Sequence, residues 1–267
     1  MTETDSIDTA RGKVTYRESG DGPPLVVLHG IGSGAASWAA QLEALSDRFR
    51  VIAWDAPGYG GSDRLAPDTP AAMDYADTLA AFLDALGIER CRLVGHSLGA
   101  LMACAFARRW PERVAGLMIA DPAAGYANAD PETRATRMDA RLGLLDRLGP
   151  RGMADERSGV LLSETASPEA RDRVREVMAQ IRPDGYRQAV AMLFGGDIHA
   201  DAREIRMPVL VVCGGDDTVT PPAGCRAVAG SFPQARFEIL PGLGHASYVE
   251  GPDAFNAALL AHFGDGA

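Results

Sequence analysis

Arg92-Leu93-Val94-Gly95-His96-Ser97-Leu98-Gly99 is the stretch that decides how this chain is read. A short apolar run, Arg92 to Val94, meets a sharp turn and then a helix-forming stretch from Ala100 to Trp110. A serine sits at the apex in the pattern G-x-S-x-G, the nucleophile elbow, which lifts a hydroxyl above the end of a strand. The turn forces the serine into a strained backbone conformation, so the residues two positions either side must be small. Gly95 and Gly99 meet that need. The five-residue pattern alone arises by chance in chains rich in Gly and Ser. The strand before it and the helix after it give it meaning here.

Around this stretch, apolar strand runs alternate with amphipathic helices from Pro24 onward. Leu25–Leu28, Val51–Trp54, Val114–Ala120, Val209–Val212 and Phe237–Leu240 read as further strands. Helices are expected near 37–46, 71–86, 223–229 and 252–263. Continuous apolar strands separated by helices imply a mostly parallel sheet covered on both faces, in which ligands bind beyond the carboxyl ends of the strands.

Residues 122–206 break that rhythm. They hold no convincing strand and carry three helical stripes: Met138/Leu142/Leu145/Leu148, Val174/Val177/Met178/Ile181 and Tyr186/Val190/Leu193/Phe194. Ser167 followed by Pro168 is a helix start, with the serine as N-cap and proline at the first helical position. The segment reads as a helical cap inserted in a core made of residues 1–121 and 207–267.

The bulk numbers exclude several classes. A chain of 267 residues with 46% hydrophobic and 23% charged residues is an ordinary globular protein with a sizeable core. A net charge of −10 argues against nucleic acid or an anionic membrane surface as partner. Cys91, Cys104, Cys213 and Cys225 show neither C-x-x-C nor Cys/His metal spacing. Met1 to Ala10 is polar and acidic without a signal-like apolar region, and no stretch is long enough to span a bilayer. The expectation is a cytoplasmic enzyme, monomeric or a small homo-oligomer, acting on a small molecule without a metal or cofactor. Gly30-Ile31-Gly32-Ser33-Gly34 lacks the lysine of a P-loop and the spacing of a dinucleotide fingerprint.

A serine hydroxyl needs a base within hydrogen-bond reach. Of five histidines, His245 lies in a glycine-rich loop, Pro241-Gly242-Leu243-Gly244-His245-Ala246, directly after a strand. That loop can carry the imidazole over the sheet end towards Ser97. His96 reads as structural, and His199 and His262 as surface or packing residues. The base in turn needs an acid. Asp217 is the preferred candidate, at the end of the strand Val209–Val212; its neighbour Asp216 leaves an ambiguity. Asp121, ending the strand Val114–Ala120, is the rival.

The chain order Ser97, Asp217, His245 resembles that of the α/β-hydrolase superfamily, and the resemblance covers residues from about 13 to 263. It implies the α/β-hydrolase fold and an oxyanion hole formed by the backbone N–H groups of Ile31, in His29-Gly30-Ile31-Gly32-Ser33, and of Leu98. Asp55-Ala56-Pro57-Gly58-Tyr59-Gly60-Gly61-Ser62 also matches the superfamily's loop after its next strand. Epoxide hydrolases and haloalkane dehalogenases carry an aspartate at the elbow, so Ser97 argues against both.

Gly185-Tyr186-Arg187-Gln188-Ala189, Asp216 to Pro222 and Gly244 to Glu250 are similar to small-cap enol-lactonases of aromatic catabolism and related carboxylesterases. That resemblance implies a two-step acyl transfer on a small anionic lactone or ester, with cap arginines such as Arg134, Arg137 and Arg187 available to hold a carboxylate. Substrate-binding residues stay unassigned. Carbon–carbon hydrolysis of ring-fission diketones is an alternative, although those relatives commonly carry Ser-Met-Gly where this chain has Ser97-Leu98-Gly99. An amide or formamide hydrolase drawing its acid from Asp121 is another. A small-molecule receptor on the same fold is the alternative that is not an enzyme.

Overall fold

Successive side chains on a strand point to opposite faces, and here both faces are buried. Leu25 and Val27 pack on one side of the sheet, Val26 and Leu28 on the other; Met118/Ala120 against Leu117/Ile119 and Leu210/Val212 against Val209/Val211 repeat the division. The computed structural model that carries this core describes residues 3–264.

The strands are β1 (Asp5–Thr9), β2 (Gly12–Ser19), β3 (Pro24–Leu28), β4 (Arg50–Trp54), β5 (Cys91–His96), β6 (Val114–Ala120), β7 (Val209–Gly214) and β8 (Ala235–Leu240). They form a single eight-stranded sheet in the order β1-β2-β4-β3-β5-β6-β7-β8. Strands β3 to β8 run parallel to one another, whereas the β1–β2 and β2–β4 pairs are antiparallel. The fold is therefore α/β with a mostly parallel sheet. The strand runs read from the sequence agree to within about two residues. The hairpin of β1 and β2 was not legible, because β1 is polar and largely exposed and shows no apolar alternation.

The helices are α1 (Ala39–Ala44), α2 (Ala72–Ala85), α3 (Leu98–Arg109), α4 (Pro131–Arg157), α5 (Pro168–Met178), α6 (Pro183–Gly195), α7 (Ile198–Ala202), α8 (Pro222–Ala229), α9 (Ser247–Glu250) and α10 (Pro252–Phe263). Side chains of α2, α3 and α8 join the core layer containing Leu28 and Leu117; those of α1, α9 and α10 join the layer containing Leu25 and Met118.

Between β6 and β7, α4 to α7 follow one another with no strand among the described residues. The Ser167 hydroxyl accepts from Ala170 N at 3.1 Å with Pro168 opening α5, and Asp130 accepts from Thr133 N at 2.9 Å to open α4. Helix α4 breaks at Gly149 (φ 65°), just before Pro150, since proline cannot continue the helical ladder. Helix α7 returns to the core, where Asp201 pairs with Arg108 of α3 at 2.7 Å.

Candidate active site

Ser97 is the residue between β5 and α3, with φ 52° and ψ −112°. A non-glycine residue held there costs on the order of 1–3 kcal/mol. Helix α3 offsets that cost, since its residues Leu98 to Ala107 are all buried and a single fully buried leucine contributes about 1.5–3 kcal/mol. The glycines make the turn possible by letting elements touch. A Cβ on Gly95 would stand 2.5 Å from Gly99 O, and one on Gly99 would stand 2.5 Å from Leu28 O.

Ser97, Asp121, Asp217 and His245 all follow the carboxyl ends of adjacent strands, β5 to β8. Ser97 Oγ lies 2.9 Å from His245 Nε2, and His245 Nδ1 lies 2.8 Å from Asp217 Oδ2. A carboxylate can only accept, so Nδ1 carries the proton it donates to Asp217, and Nε2 accepts from the serine hydroxyl. All three side chains are buried. Burial would raise the Asp217 carboxyl, but the bonds from His245 and from the Thr220 amide and hydroxyl outweigh it and hold it at about 2. Asp217 is thus a buried carboxylate saturated with donors. Asp216 is exposed.

Asp121 is fully buried at a left-handed φ of 47°, and its bonds go elsewhere. Its Oδ1 accepts from Gly214 N at 2.7 Å and its Oδ2 from Ser247 Oγ at 2.6 Å. Burial pushes its carboxyl up to about 7, with His245 pulling down and Asp217 pushing up. Asp121, Cys213 and Asp217 bring donor atoms within 4.8 Å of one another, a grouping invisible in the sequence. N–H and O–H donors of the chain already bond both carboxylates, and the bond with Cys225 and burial push the Cys213 thiol up, so it stays protonated.

The Gly30–Ile31 peptide is fixed from behind. His29 Nε2 accepts from Ala56 N at 3.0 Å, so Nδ1 is the protonated nitrogen and donates to Gly30 O at 2.8 Å. In a trans peptide the C=O and N–H point opposite ways, so the Ile31 N–H is turned away from that bond, and Ile31 is among the residues that line the cavity. Leu98 is the first residue of α3, and its N–H has no intrahelical acceptor. Tyr59 donates to Ile31 O at 2.6 Å and lies edge-on to His29; it braces this turn and does not line the cavity.

The remaining histidines are bonded to other partners. His96 Nε2 donates to His245 O at 2.8 Å, and burial pushes its pKa down to about 3, so it is neutral. His199 Nδ1 meets Ser231 Oγ at 2.7 Å, and His262 Nε2 meets Leu117 O at 2.9 Å.

Ser97 and His245 open into a cavity of about 590 Å³, walled by core loops and by residues of α4, α5 and α6. Tyr126 stacks on Phe194 in its wall, and Arg137 sits over the Tyr126 ring at 5.6 Å. Among the described residues, three arginines, Arg137, Arg141 and Arg157, line it, and no aspartate or glutamate does. Of the arginines singled out in the sequence, Arg137 is at the cavity, Arg187 pairs with Asp146 instead, and Arg134 is not in the wall. Arg141 and Arg157 were missed, although the spacing of Arg137 and Arg141 by four residues puts both on one helix face. Thr220 was missed as well; three residues after Asp217, its amide and hydroxyl close a turn on that carboxylate.

Comparison with known proteins agrees with this architecture. Residues 23–252 match the family described as alpha/beta hydrolase fold. A protein of Caulobacter sp. (strain K31) named "Putative carbamate hydrolase RutD" is 31% identical over 264 residues, covering 97% of each chain. A thermophilic esterase from Thermogutta terrifontis, solved with malate bound, superposes with a TM-score of 0.86 at 29% identity over 97% of each chain. The enol-lactonase of Burkholderia xenovorans LB400 gives 0.84 at 26% identity, over 97% of this chain and 99% of that one. No helix among the described residues is long and apolar enough to cross a membrane. The chain belongs to the alpha/beta hydrolase fold family and is a hydrolase of that family.

Proposed function

We propose that the protein is a serine hydrolase that cleaves a small carboxylic ester or lactone through an acyl-enzyme. The observation that carries this reading is the continuous buried relay from Ser97 Oγ to His245 at 2.9 Å and from His245 to Asp217 at 2.8 Å. In the reaction, Ser97 Oγ attacks the carbonyl carbon while His245 Nε2 takes its proton. Asp217, ionised and held by the Val219 and Thr220 amides, stabilises the imidazolium and keeps the ring in one orientation. The Ile31 and Leu98 N–H groups receive the oxyanion. His245 then protonates the departing alkoxide or enolate. In the second half it activates water, which attacks the acyl-enzyme and releases the acid. The helical insertion between β6 and β7 serves as the cap over this chemistry.

The cavity supports a carboxylate-bearing enol-lactone or ester as substrate. Its volume of about 590 Å³ suits a small organic molecule rather than carbamate, which is no larger than the end group of a glutamine side chain. Its basic residues, with no acidic one beside them among the described residues, favour an anion, against the chain's net charge of −10. The name of the Caulobacter relative favours a second reading, hydrolysis of a carbamate or amide. The deciding experiment is kcat/KM of the wild type and Ser97→Ala on 3-oxoadipate enol-lactone, p-nitrophenyl butyrate, an alkyl carbamate and a simple amide. Serine-dependent lactone hydrolysis above roughly 10⁴ M⁻¹s⁻¹ supports the lactonase reading. Turnover confined to the carbamate or amide replaces the ester reading with the second one. Retained ester turnover in Ser97→Ala overturns the serine mechanism.

A further inference from the structure

His245 is held by its backbone as well as by its ring. The amide before it, Gly244 N, donates to Glu250 Oε2 at 2.9 Å; the amide after it, Ala246 N, donates to Leu161 O at 2.7 Å. The same Glu250 carboxylate accepts from Ser163 N at 3.0 Å and from the Ser163 hydroxyl in a short bond. Leu161 and Ser163 belong to the helical insertion, at the turn between α4 and α5. That turn is stiffened from the insertion side, since Arg171 Nη2 donates to Ser163 O at 3.0 Å and to Glu164 O at 2.9 Å. The fit is close, because a Cβ on Gly244 would stand 2.5–2.7 Å from the Leu162–Ser163 backbone. A half-buried carboxylate taking three donors, two of them from across this seam, has no role in the chemistry described above.

We propose that Glu250 is a positioning residue for His245: it ties the His245 loop to the Ser163 turn, so that the helical insertion sets where the imidazole stands relative to Ser97. The inference rests on the reading of His245 as the base. Removing the carboxylate frees Gly244 and Ser163 together, and a displacement near 1 Å of a catalytic group costs on the order of 10²-fold in rate. Glu250 itself is not in the cavity wall, so its loss is expected to act on kcat rather than on KM.

The test compares Glu250→Ala, Glu250→Gln, Ser163→Ala and Ser97→Ala with the wild type, using p-nitrophenyl butyrate and the low-field proton resonance of the His245–Asp217 hydrogen bond. Glu250→Ala is expected to lose about 10–100-fold in kcat with little change in KM, and to shift or broaden that resonance. Glu250→Gln keeps a carbonyl acceptor and recovers part of the rate; Ser163→Ala shows a smaller loss of the same kind. A folded Glu250→Ala with wild-type kcat and an unmoved resonance overturns the proposal. Should Glu250→Ala fail to fold, wild-type kcat in both Glu250→Gln and Ser163→Ala overturns it equally. Wild-type turnover in Ser97→Ala defeats the reading of the base itself. A dead Ser97→Ala beside fully active Glu250 variants defeats only the positioning role.

Discussion

Asp217 Oδ2 lies 2.8 Å from His245 Nδ1, while Asp121, just as deeply buried one strand over, directs its two oxygens at Gly214 N and Ser247 Oγ. Two carboxylates therefore share one corner of the molecule, and only one of them orients the imidazole. Asp217→Asn is expected to lower kcat for a p-nitrophenyl ester by on the order of 10³–10⁴-fold, since the amide cannot stabilise the imidazolium and favours the wrong tautomer. Asp121→Asn should cost less than about tenfold in the same assay. The reverse ranking in steady-state kinetics would hand the acid role to Asp121.

Asp121 also predicts a pH dependence of stability. Burial raises its folded-state pKa to about 7, above the unfolded carboxyl, so the folded protein holds this proton where the unfolded chain has released it. Its contribution is fully present below pH about 4 and is lost as pH rises through about 7. Urea midpoints of wild type and Asp121→Asn, measured from pH 4 to 8, should show the wild type losing ground across that window. Parallel curves would mean that Asp121 stays ionised in the fold.

The arginine-lined wall predicts a charge preference. Arg141 is half-buried and lies 3.4 Å from the Tyr186 hydroxyl, so a substrate carboxylate is the strong acceptor it can gain. A charge-assisted hydrogen bond contributes about 1.5–3 kcal/mol. Arg137→Gln/Arg141→Gln should lose about 10–100-fold in kcat/KM for mono-p-nitrophenyl succinate, by that same energy, with p-nitrophenyl butyrate almost unaffected. Equal losses on both esters would point to damaged packing of α4.

Glycines at the elbow and on the surface should respond in opposite directions. A Cβ at Gly99 meets Leu28 O at 2.5 Å and His29 O at 2.9 Å, so Gly99→Ala must separate α3 from β3. It is expected to destabilise by about 1–3 kcal/mol or more. Gly224, exposed in α8 with nothing near its Cβ position, should gain about 0.4–1 kcal/mol as alanine. Denaturant unfolding of the two variants distinguishes them, and a neutral Gly99→Ala would show that the elbow tolerates a wider gap.

By itself the sequence determined the elements whose signal is local. Apolar runs at strand length marked β3 to β8, the 3.6-residue stripes marked the helices of the insertion, and the glycines around Ser97 marked the turn, because each pattern reflects contacts a segment makes through its own periodicity. The pairing of Ser97 with His245 was foreseeable from chain order and resemblance, yet its bond spans 148 residues. Tertiary structure alone decided which aspartate of the Asp216-Asp217 pair turns inward, and that Asp121 bonds Ser247 instead of the histidine. It alone brought Arg141 and Arg157 to the cavity and Glu250 to Ser163. Those outcomes depend on which strands are neighbours in the sheet and on how the insertion folds back. Contacts between distant segments leave no periodic trace in either segment alone.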